Sequence, residues 1–290
     1  MTWKNLRKYF YQGAEKLSII TVNGGISVIS AFVNGTGSAV SIDLSMRIMS
    51  SRNGETPDPI VHELASWYCD RFSLKEVPEI AIRSRIPRGQ GLKSSSALAI
   101  GILELLIMEN GVSIPDEEKL SAAAIASKEH KLSATGAYDD LTAAYYGGLT
   151  LTDNNENKLY LRKEVPLMPV MIVYDPLETR SSYLLKDAFA DIPVSDIQSM
   201  AEKVKKGSFL AVAVMNGQII GRKTGIRNEL IDQIRKFSPL AVSQSGKGPS
   251  IFAFFKNTIE MRKCAASLAS EKGISIILTR TSNDPILRSE

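Results

Sequence analysis

The segment from Pro87 to Ser96 combines glycines, a lysine and three consecutive serines just before a strongly helical stretch, Ala97 to Asn110. Glycines let a backbone approach a ligand closely, and the unpaired amides at a helix start carry the positive end of its dipole. Such a junction of strand, loop and helix suits a phosphate group. The serine hydroxyls could donate to phosphate or ligate magnesium; the alternative is a serine-rich helix cap without a ligand.

The same segment departs from the P-loop pattern G-x4-G-K-[ST], although Lys93-Ser94 resembles the end of that pattern. Position 92 is Leu92, and position 87, where the first glycine should lie, is Pro87. The sequence therefore predicts a phosphate-binding loop of another type.

Acidic residues follow at a spacing that suits phosphoryl transfer. Glu129 precedes Asp140 by eleven residues, and Asp139 lies beside Asp140. One carboxylate can ligate magnesium while a second accepts the proton of an attacking hydroxyl. The alternative is a surface acid on one helix and a pair of capping acids on the next. The neighbouring His130 is interpreted as a packed or solvated residue.

A third polar cluster runs from Ser243 to Ser250 and leads directly into the apolar stretch Ile251 to Phe255. It contains the glycine-rich turn Ser245-Gly-Lys-Gly-Pro249. Turns of this kind connect elements as often as they bind ligands. Taken alone, the cluster favours neither interpretation.

The elements that must position these clusters alternate between strand and helix patterns. In the first half we expect strands over 18–22, 26–33, 38–46, 79–86 and 149–152, turns at 23–25 and 34–37, and helices over 59–71, 97–110, 115–131 and 138–146. A second half opens near residue 160. There we expect strands over 169–174, 251–255 and 274–279 and helices over 181–190, 195–217 and 258–272. Residues 1–17 show the spacing of an amphipathic helix.

Composition limits the function classes. The 290 residues are 44% apolar and 23% charged, which is typical of a globular protein with a substantial core. The net charge of +4 is spread without a long run of one sign, so a nucleic-acid groove is not indicated. Cys69 and Cys264 indicate neither a disulfide framework nor a zinc site. The longest apolar stretch, Ala97 to Met108, is too short to cross a bilayer.

In type and order, the three clusters resemble those of the GHMP kinases: a proline-opened Gly-Leu-x-Ser-Ser motif, an acidic pair and a late glycine-rich loop. Within that superfamily the chain is most similar to the archaeal shikimate kinases, from about residue 18 onward. The stretches that carry the resemblance are Gly35–Leu44, Gly91–Ala97, Ala134–Asp140, Tyr145–Asn154 and Ser245–Ser250. The run from Ala134 to Asn154 is specific to this group, whereas the Gly-Leu-x-Ser-Ser motif marks the superfamily.

The resemblance implies an α+β GHMP kinase fold, with two sheet-and-helix lobes and the active site between them. It divides the chain into an extension over 1–17, an ATP-binding lobe over 18–160 and a second lobe over 161–290. It implies magnesium-dependent transfer of the γ-phosphoryl group of ATP to the 3-hydroxyl of shikimate. The expected enzyme is cytoplasmic and acts on a small molecule, not on nucleic acid or a membrane; its oligomeric state is not indicated. Homoserine or mevalonate kinase, or a non-catalytic ligand sensor on the same fold, are the alternatives.

Roles follow from the resemblance by position. The implied nucleotide-binding residues are Pro87, Gly89, Gly91, Leu92, Lys93, Ser94, Ser95, Ser96 and Ala97, and the implied magnesium ligands are Ser95 and Glu129. The implied substrate-binding residues are Gly136, Ser245, Gly246, Lys247 and Gly248. If the family's spacing is counted back from Gly147-Gly148, its catalytic aspartate falls on Asp140. If the spacing is counted forward from Gly136, the aspartate falls on Asp139. We favour Asp140.

Two departures from the family pattern concern cationic side chains. The lysine that many GHMP kinases carry in their first motif is missing from Ile19 to Val33. This absence leaves the acceptor hydroxyl without an obvious cationic neighbour. Lys247 stands where small or hydroxyl residues are common, and it could supply that cation. For the substrate carboxylate, the motif positions offer Lys93, Arg88 and Lys247.

Overall fold

The structure, a computed structural model, describes residues 18–50, 58–75, 79–180 and 188–289. The helix expected over residues 1–17 lies outside this part of the chain, as does most of the one expected over 181–190. The described strands are β1 (Ile19–Ile29), β2 (Thr36–Ser50), β3 (Ile80–Ser84), β4 (Leu149–Asp153), β5 (Lys158–Lys163), β6 (Pro169–Tyr174), β7 (Ala241–Gln244), β8 (Ile251–Phe254), β9 (Ser275–Arg280) and β10 (Leu287–Ser289). The described helices are α1 (Pro59–Phe72), α2 (Ser94–Asn110), α3 (Asp116–Glu129), α4 (Tyr138–Tyr146), α5 (Val194–Lys205), α6 (Phe209–Thr224), α7 (Asn228–Arg235) and α8 (Thr258–Ser267).

The first sheet is antiparallel and has the strand order β10-β1-β2-β4-β5, with β3 paired to β2. Helices α2 and α4 pack against β1 and β2. Helix α2 is apolar around most of its circumference, and residues 96–107 are all buried. A helix without a polar face is stable in water only when other elements surround it, so α2 forms the centre of this lobe.

The turn expected at Asn23-Gly24-Gly25 is wrong. These residues lie inside β1, where the register against β2 shifts between Asn23 and Gly24. The glycines allow the loop before α2 to approach the strand, because a Cβ on Gly24 would lie 2.7 Å from the Leu92 carbonyl oxygen. Glycine inside a strand pattern marks such a bulge or close backbone approach as well as a turn.

The second sheet is antiparallel and has the strand order β7-β8-β6-β9. Alternate residues of β6 enter two cores: Val170 and Ile172 join the large core shared with the first lobe, and Met171 and Val173 join a smaller one. This is the period-two alternation of a strand buried on both faces. Helices α5 and α6 supply side chains to the large core, and α7 and α8 supply them to the smaller one.

The expected lobe boundary at residue 160 needs correction, since it falls inside β5. The chain also returns to the first lobe after β9. Strand β10 pairs with β1, and the Ile286 amide donates to the Tyr145 carbonyl oxygen. The segment 161–290 therefore does not fold only into the second lobe, because its last described strand completes the first sheet.

A buried ionic network joins the centre of the first lobe to β10. Glu104 of α2 is 1% exposed, and its carboxylate lies 2.9 Å from the Lys119 ammonium and 2.7 Å from Nε of Arg288. Lys119 also contacts Asp116 at 2.8 Å and donates to the Tyr145 hydroxyl at 2.6 Å. Burying a carboxylate in this way costs free energy that such partners offset.

Candidate active site

A cleft opens where the loop before α2, the starts of α2 and α4, the end of β1 and the late glycine-rich loop meet. The lining residues are Ser27, Ser30, Ala31, Phe32, Gly89, Gly91, Lys93, Ser94, Ser95, Ser96, Ser127, Leu132, Ser133, Thr135, Ala137, Asp139, Asp140 and Lys247. Segments from all three polar clusters of the sequence are therefore brought together. Hydroxyl and charged side chains dominate the lining, which suits a polar, anionic ligand.

Both lobes hold the loop before α2 in place. The Gly25 amide of β1 donates to the Leu92 carbonyl oxygen at 3.2 Å. From the second lobe, the Ser245 hydroxyl donates to the Gly91 carbonyl oxygen at 2.9 Å. Gly91 has a φ of +76°, and a Cβ there would lie 2.5 Å from the Ser245 carbonyl oxygen. Glycine is therefore required at position 91 on both conformational and steric grounds.

Helices α2 and α4 both begin at the cleft. The residue before each helix, Lys93 and Ala137 respectively, adopts a left-handed conformation, with φ of 70° and 52°. The side chains of Lys93 and Ala137 accept no capping hydrogen bond from the amides that follow them, although the Asp139 amide of α4 donates to the Asn154 side chain. The first amides of a helix lack intrahelical acceptors, so these two starts present donors and positive dipole ends to the cleft. Such an arrangement suits a phosphate group.

The Lys93 side chain turns into the cleft and meets Asp140. Its ammonium lies 2.8 Å from Oδ1 of Asp140 and donates to the Ser27 hydroxyl of β1. The side chains of Lys93 and Asp140 are 8% and 16% exposed. Lys93, in the loop before α2, thus places beside Asp140 the cation that the sequence of β1 does not provide.

Asp139 lies behind Asp140, packed more deeply. Its carboxylate accepts a hydrogen bond from the Asn154 side-chain amide at 2.7 Å, and its backbone amide donates to the Asn154 side-chain oxygen at 3.1 Å. A Cβ on Gly37 would lie 2.6 Å from Cγ of Asp139, so β2 closes over the carboxylate. Burial first, and then the charge of Asp140, raise the pKa of Asp139 well above its ordinary value. Asp140 is the member of the pair that has a cation beside it.

The structure places Glu129 away from the expected magnesium site. It is exposed at the end of α3 and is not among the residues that line the cleft. Its carboxylate accepts a hydrogen bond from the Trp67 indole at 2.6 Å. The sequence expectation that Glu129 and Ser95 lie together is thus not met, because the helix directs Glu129 toward α1.

Four of the expected substrate-binding residues do not line the cleft. Gly136 has a φ of +79° and packs against α3, where a Cβ would lie 3.0 Å from the Ala124 carbonyl oxygen. The Ser245 hydroxyl is used to hold Gly91. Gly246 and Gly248 also have positive φ and shape the turn that carries Lys247. Of the expected set, Lys247 is the residue that faces the cleft.

The surroundings of Lys247 destabilise its positive charge. Its ammonium donates to the Arg180 carbonyl oxygen. Burial, and then the positive charge of Lys93, lower the pKa of Lys247 to about 8. An anion bound beside Lys247 would restore the charge balance.

Sequence reasoning missed the residues of the cleft that carry no motif. These are Ser27 near the end of β1, Ser30, Ala31 and Phe32 just after that strand, and Ser127, Leu132 and Ser133 around the end of α3. The serines are a weak signal, because serine is common in turns and loops whether or not a ligand binds there. Only the fold brings them beside the loop before α2.

Comparisons with known proteins give consistent results. A family model described as the GHMP kinases N terminal domain matches residues 60–148. The chain is 35% identical to the shikimate kinase of Thermoplasma acidophilum, over 93% of this chain and 97% of that protein. It is 32% identical to the shikimate kinase of Pyrococcus furiosus, over 80% of this chain and 89% of that protein.

Solved structures show the same fold at low sequence identity. Methanococcus jannaschii mevalonate kinase superposes with a TM-score of 0.72 at 16% identity, covering 93% of this chain and 99% of that one. A structure described as a putative homoserine kinase from Listeria monocytogenes superposes with a TM-score of 0.71 at 15% identity, covering 94% and 99%. Within the described ranges, no helix has both the length and the apolar character needed to traverse a bilayer.

Proposed function

The chain belongs to the archaeal-type shikimate kinases of the GHMP superfamily, and we propose that its Lys93–Asp140 pair activates the acceptor hydroxyl in the cleft. The enzyme phosphorylates shikimate with ATP. The observation that carries the proposal is the 2.8 Å contact between Lys93 and Asp140 beside the uncapped start of α2. Transfer of a phosphoryl group to an alcohol requires a phosphate-binding site and, beside it, a group that orients the attacking hydroxyl. The cleft offers both.

The triphosphate of ATP is proposed to lie at the start of α2. The amides of Ser94, Ser95 and Ser96 and the helix dipole would stabilise its negative charge. The serine hydroxyls add donors on the same turn. These groups are fixed before the reaction begins, so their reorganisation does not add to the barrier.

Asp140 is proposed to orient the 3-hydroxyl of shikimate and to accept its proton. The hydroxyl oxygen forms a bond to the γ-phosphorus, and the bond from that phosphorus to the β,γ-bridging oxygen breaks as ADP departs. Lys93 holds Asp140 in position through its ion pair. Its ammonium also places positive charge close to the oxygen that gains a bond to phosphorus.

Magnesium is proposed to bind with ATP, and Ser95 is its proposed protein ligand. In the described part of the chain, no group of three or more histidine, cysteine, aspartate or glutamate side chains could hold a metal ion. The donors present fit an ion held chiefly by phosphate oxygens and water, which is how magnesium commonly binds in kinases. When bound, magnesium neutralises charge that develops on the phosphate oxygens.

If Glu129 also serves magnesium, as the family pattern implies, its carboxylate must leave the Trp67 indole. In that case Trp67→Phe, which removes this competing donor, should tighten magnesium binding about three- to tenfold. This gain is smaller than the full value of a hydrogen bond to a charged group, because the pair is exposed. A magnesium titration of ATP turnover measures this effect. An unchanged or weaker magnesium dependence would show that Glu129 does not move to the metal.

Lys93 is expected to be essential for turnover rather than for folding. Replacing it with methionine removes the ammonium beside Asp140, so we expect Lys93→Met to lower kcat about a hundredfold, the usual loss for one preorganised charged or polar group. Steady-state kinetics and thermal unfolding of the variant measure the two properties. A variant with normal kcat would exclude the proposed activation.

Lys247 is proposed to bind the carboxylate of shikimate. Of the three cations that the motifs offered, Lys93 is engaged by Asp140, and Arg88 is 67% exposed and pairs with Asp58 at 2.8 Å outside the cleft. Lys247 lines the cleft and lies within the electrostatic influence of Asp140 and Lys93. It is therefore the candidate best placed to receive an anion.

This role predicts a pH dependence. As pH rises through about 8, Lys247 loses its proton and its charge, so the KM for shikimate should increase between pH 7 and 9 while the KM for ATP changes less. Lys247→Met should show a high KM for shikimate throughout this range. If the wild-type KM for shikimate is the same at pH 7 and 9, another group binds the carboxylate.

One assay tests the function as a whole. ADP release should depend on magnesium and should be stimulated by shikimate far more than by homoserine or mevalonate. Equal turnover with homoserine or mevalonate would overturn the assignment of the acceptor. ATP binding without any turnover would favour a ligand sensor on this fold.

A further inference from the structure

Ser127 carries a buried hydroxyl that faces the cleft. It lies in the last turn of α3, lines the cleft and is 2% exposed. Its Oγ has no hydrogen-bond partner among the described residues. A helical serine can ordinarily donate to the carbonyl oxygen four residues back, but Ser127 does not do so. A buried polar group left in this state costs free energy unless a ligand or water satisfies it.

Several other hydroxyls around the cleft have a protein partner. Ser133 accepts a hydrogen bond from the Thr135 amide, and Thr135 accepts one from the Ala137 amide. The Ser27 hydroxyl accepts one from Lys93. These side chains shape the loop or hold the catalytic pair. Ser127 differs because its hydroxyl contributes to neither task.

The backbone fixes Ser127 in place. The amides of Leu132 and Ser133 both donate to its carbonyl oxygen, at 2.9 and 3.0 Å. Residues two positions apart on a helix point about 200° apart, so a helix that turns Ser127 to the cleft turns Glu129 away from it. The family pattern makes Glu129 a metal ligand, but the hydroxyl that faces the cleft is that of Ser127, two residues earlier.

We propose that Ser127 donates a hydrogen bond to the triphosphate of ATP. The inference rests on the proposed function, in which the triphosphate lies at the start of α2. Helix α3 packs against α2, and the cleft lining places Ser127 with Ser94, Ser95 and Ser96. A phosphate oxygen beside those amides would accept the hydrogen bond that no described protein group accepts. Ser127 is therefore a nucleotide-binding residue, whereas Asp140 and Lys247 serve the acceptor.

Ser127→Ala should have opposite effects on the free and the nucleotide-bound protein. Without nucleotide, removing an unsatisfied buried hydroxyl should raise Tm by about 2 to 5 °C. With magnesium and the non-hydrolysable ATP analogue AMP-PNP, the ligand-induced rise in Tm should be smaller than in the wild type. In steady-state assays the KM for ATP should increase about tenfold, with the KM for shikimate unchanged.

Ser121→Ala is the matched control, because Ser121 lies on the same helix but does not line the cleft. It should leave both KM values unchanged. If wild-type turnover of shikimate is normal and Ser127→Ala keeps a normal KM for ATP, the role of Ser127 is excluded while the proposed function stands. A fall in the Tm of nucleotide-free Ser127→Ala would also overturn it, since the hydroxyl would then have a protein partner. A wild-type enzyme that does not phosphorylate shikimate would refute the function itself.

Discussion

Replacing Asp140 with asparagine should lower kcat by about two to four orders of magnitude, the range for loss of a positioned general base. Asparagine has nearly the same shape but cannot accept the proton of the acceptor hydroxyl, and it removes the partner of Lys93. The start of α2 is untouched, so the KM for ATP should change little. Steady-state kinetics at saturating ATP and shikimate measure the loss.

Asp139→Asn is the matched control at the adjacent position. Its amide oxygen can still accept the hydrogen bond from Asn154, so kcat should fall far less than in Asp140→Asn. Because the folded protein raises the pKa of Asp139, the wild type should lose stability as pH rises from the ordinary value of 3.8 through the raised one. Asp139→Asn should not show this loss. A large kcat loss confined to Asp139→Asn would reverse the roles of the two aspartates.

Lys119→Met should reduce the free energy of unfolding by about 2 to 4 kcal/mol, somewhat less than the usual cost of leaving a buried charge with no partner, because Arg288 still pairs with Glu104. The substitution keeps the length of the side chain but leaves Glu104, which is 1% exposed, with Arg288 as its remaining ionic partner. Urea unfolding measures the change through its midpoint. Lys119 does not line the cleft, so kcat of the folded variant should remain normal.

Lys205→Met provides the comparison on the surface. Lys205 and Glu202 form an ion pair at 2.7 Å in which both side chains are more than half exposed. Exposed pairs of this kind contribute little because water and salt screen them. Equal losses in Lys119→Met and Lys205→Met would show that the buried network does not stabilise the first lobe.

Local sequence signals predicted the elements that carry strong start and stop residues. Helix α4 has the predicted bounds, 138–146, because Gly147-Gly148 ends it, and β6 has the predicted bounds, 169–174. Strands β5, β7 and β10 and helix α7 were missed. They contain six, four, three and eight residues respectively, which is too short for periodicity to stand out from a loop. The expected single helix over 195–217 is two, α5 and α6, separated near Gly207.

The site was harder to predict than the fold because its key contacts join distant segments. Nothing local indicates that Lys93 reaches Asp140, since the approach depends on a left-handed backbone at Lys93 and on glycines of β1 that make room for the loop. The sequence of β1 therefore suggested a missing cation that the fold supplies from elsewhere. The direction of Glu129 likewise depends on where α1 places Trp67.

The return of β10 to the first sheet has a consequence for biosynthesis. A chain leaving the ribosome produces β1 early, yet the strand that covers its outer edge follows every strand of the second sheet. Until β10 emerges, β1 has an open edge, and Glu104 lacks the arginine that the finished protein provides. Exposed strand edges invite association with other chains. We therefore expect nascent chains halted before β10 to depend on chaperones more strongly than the completed polypeptide does.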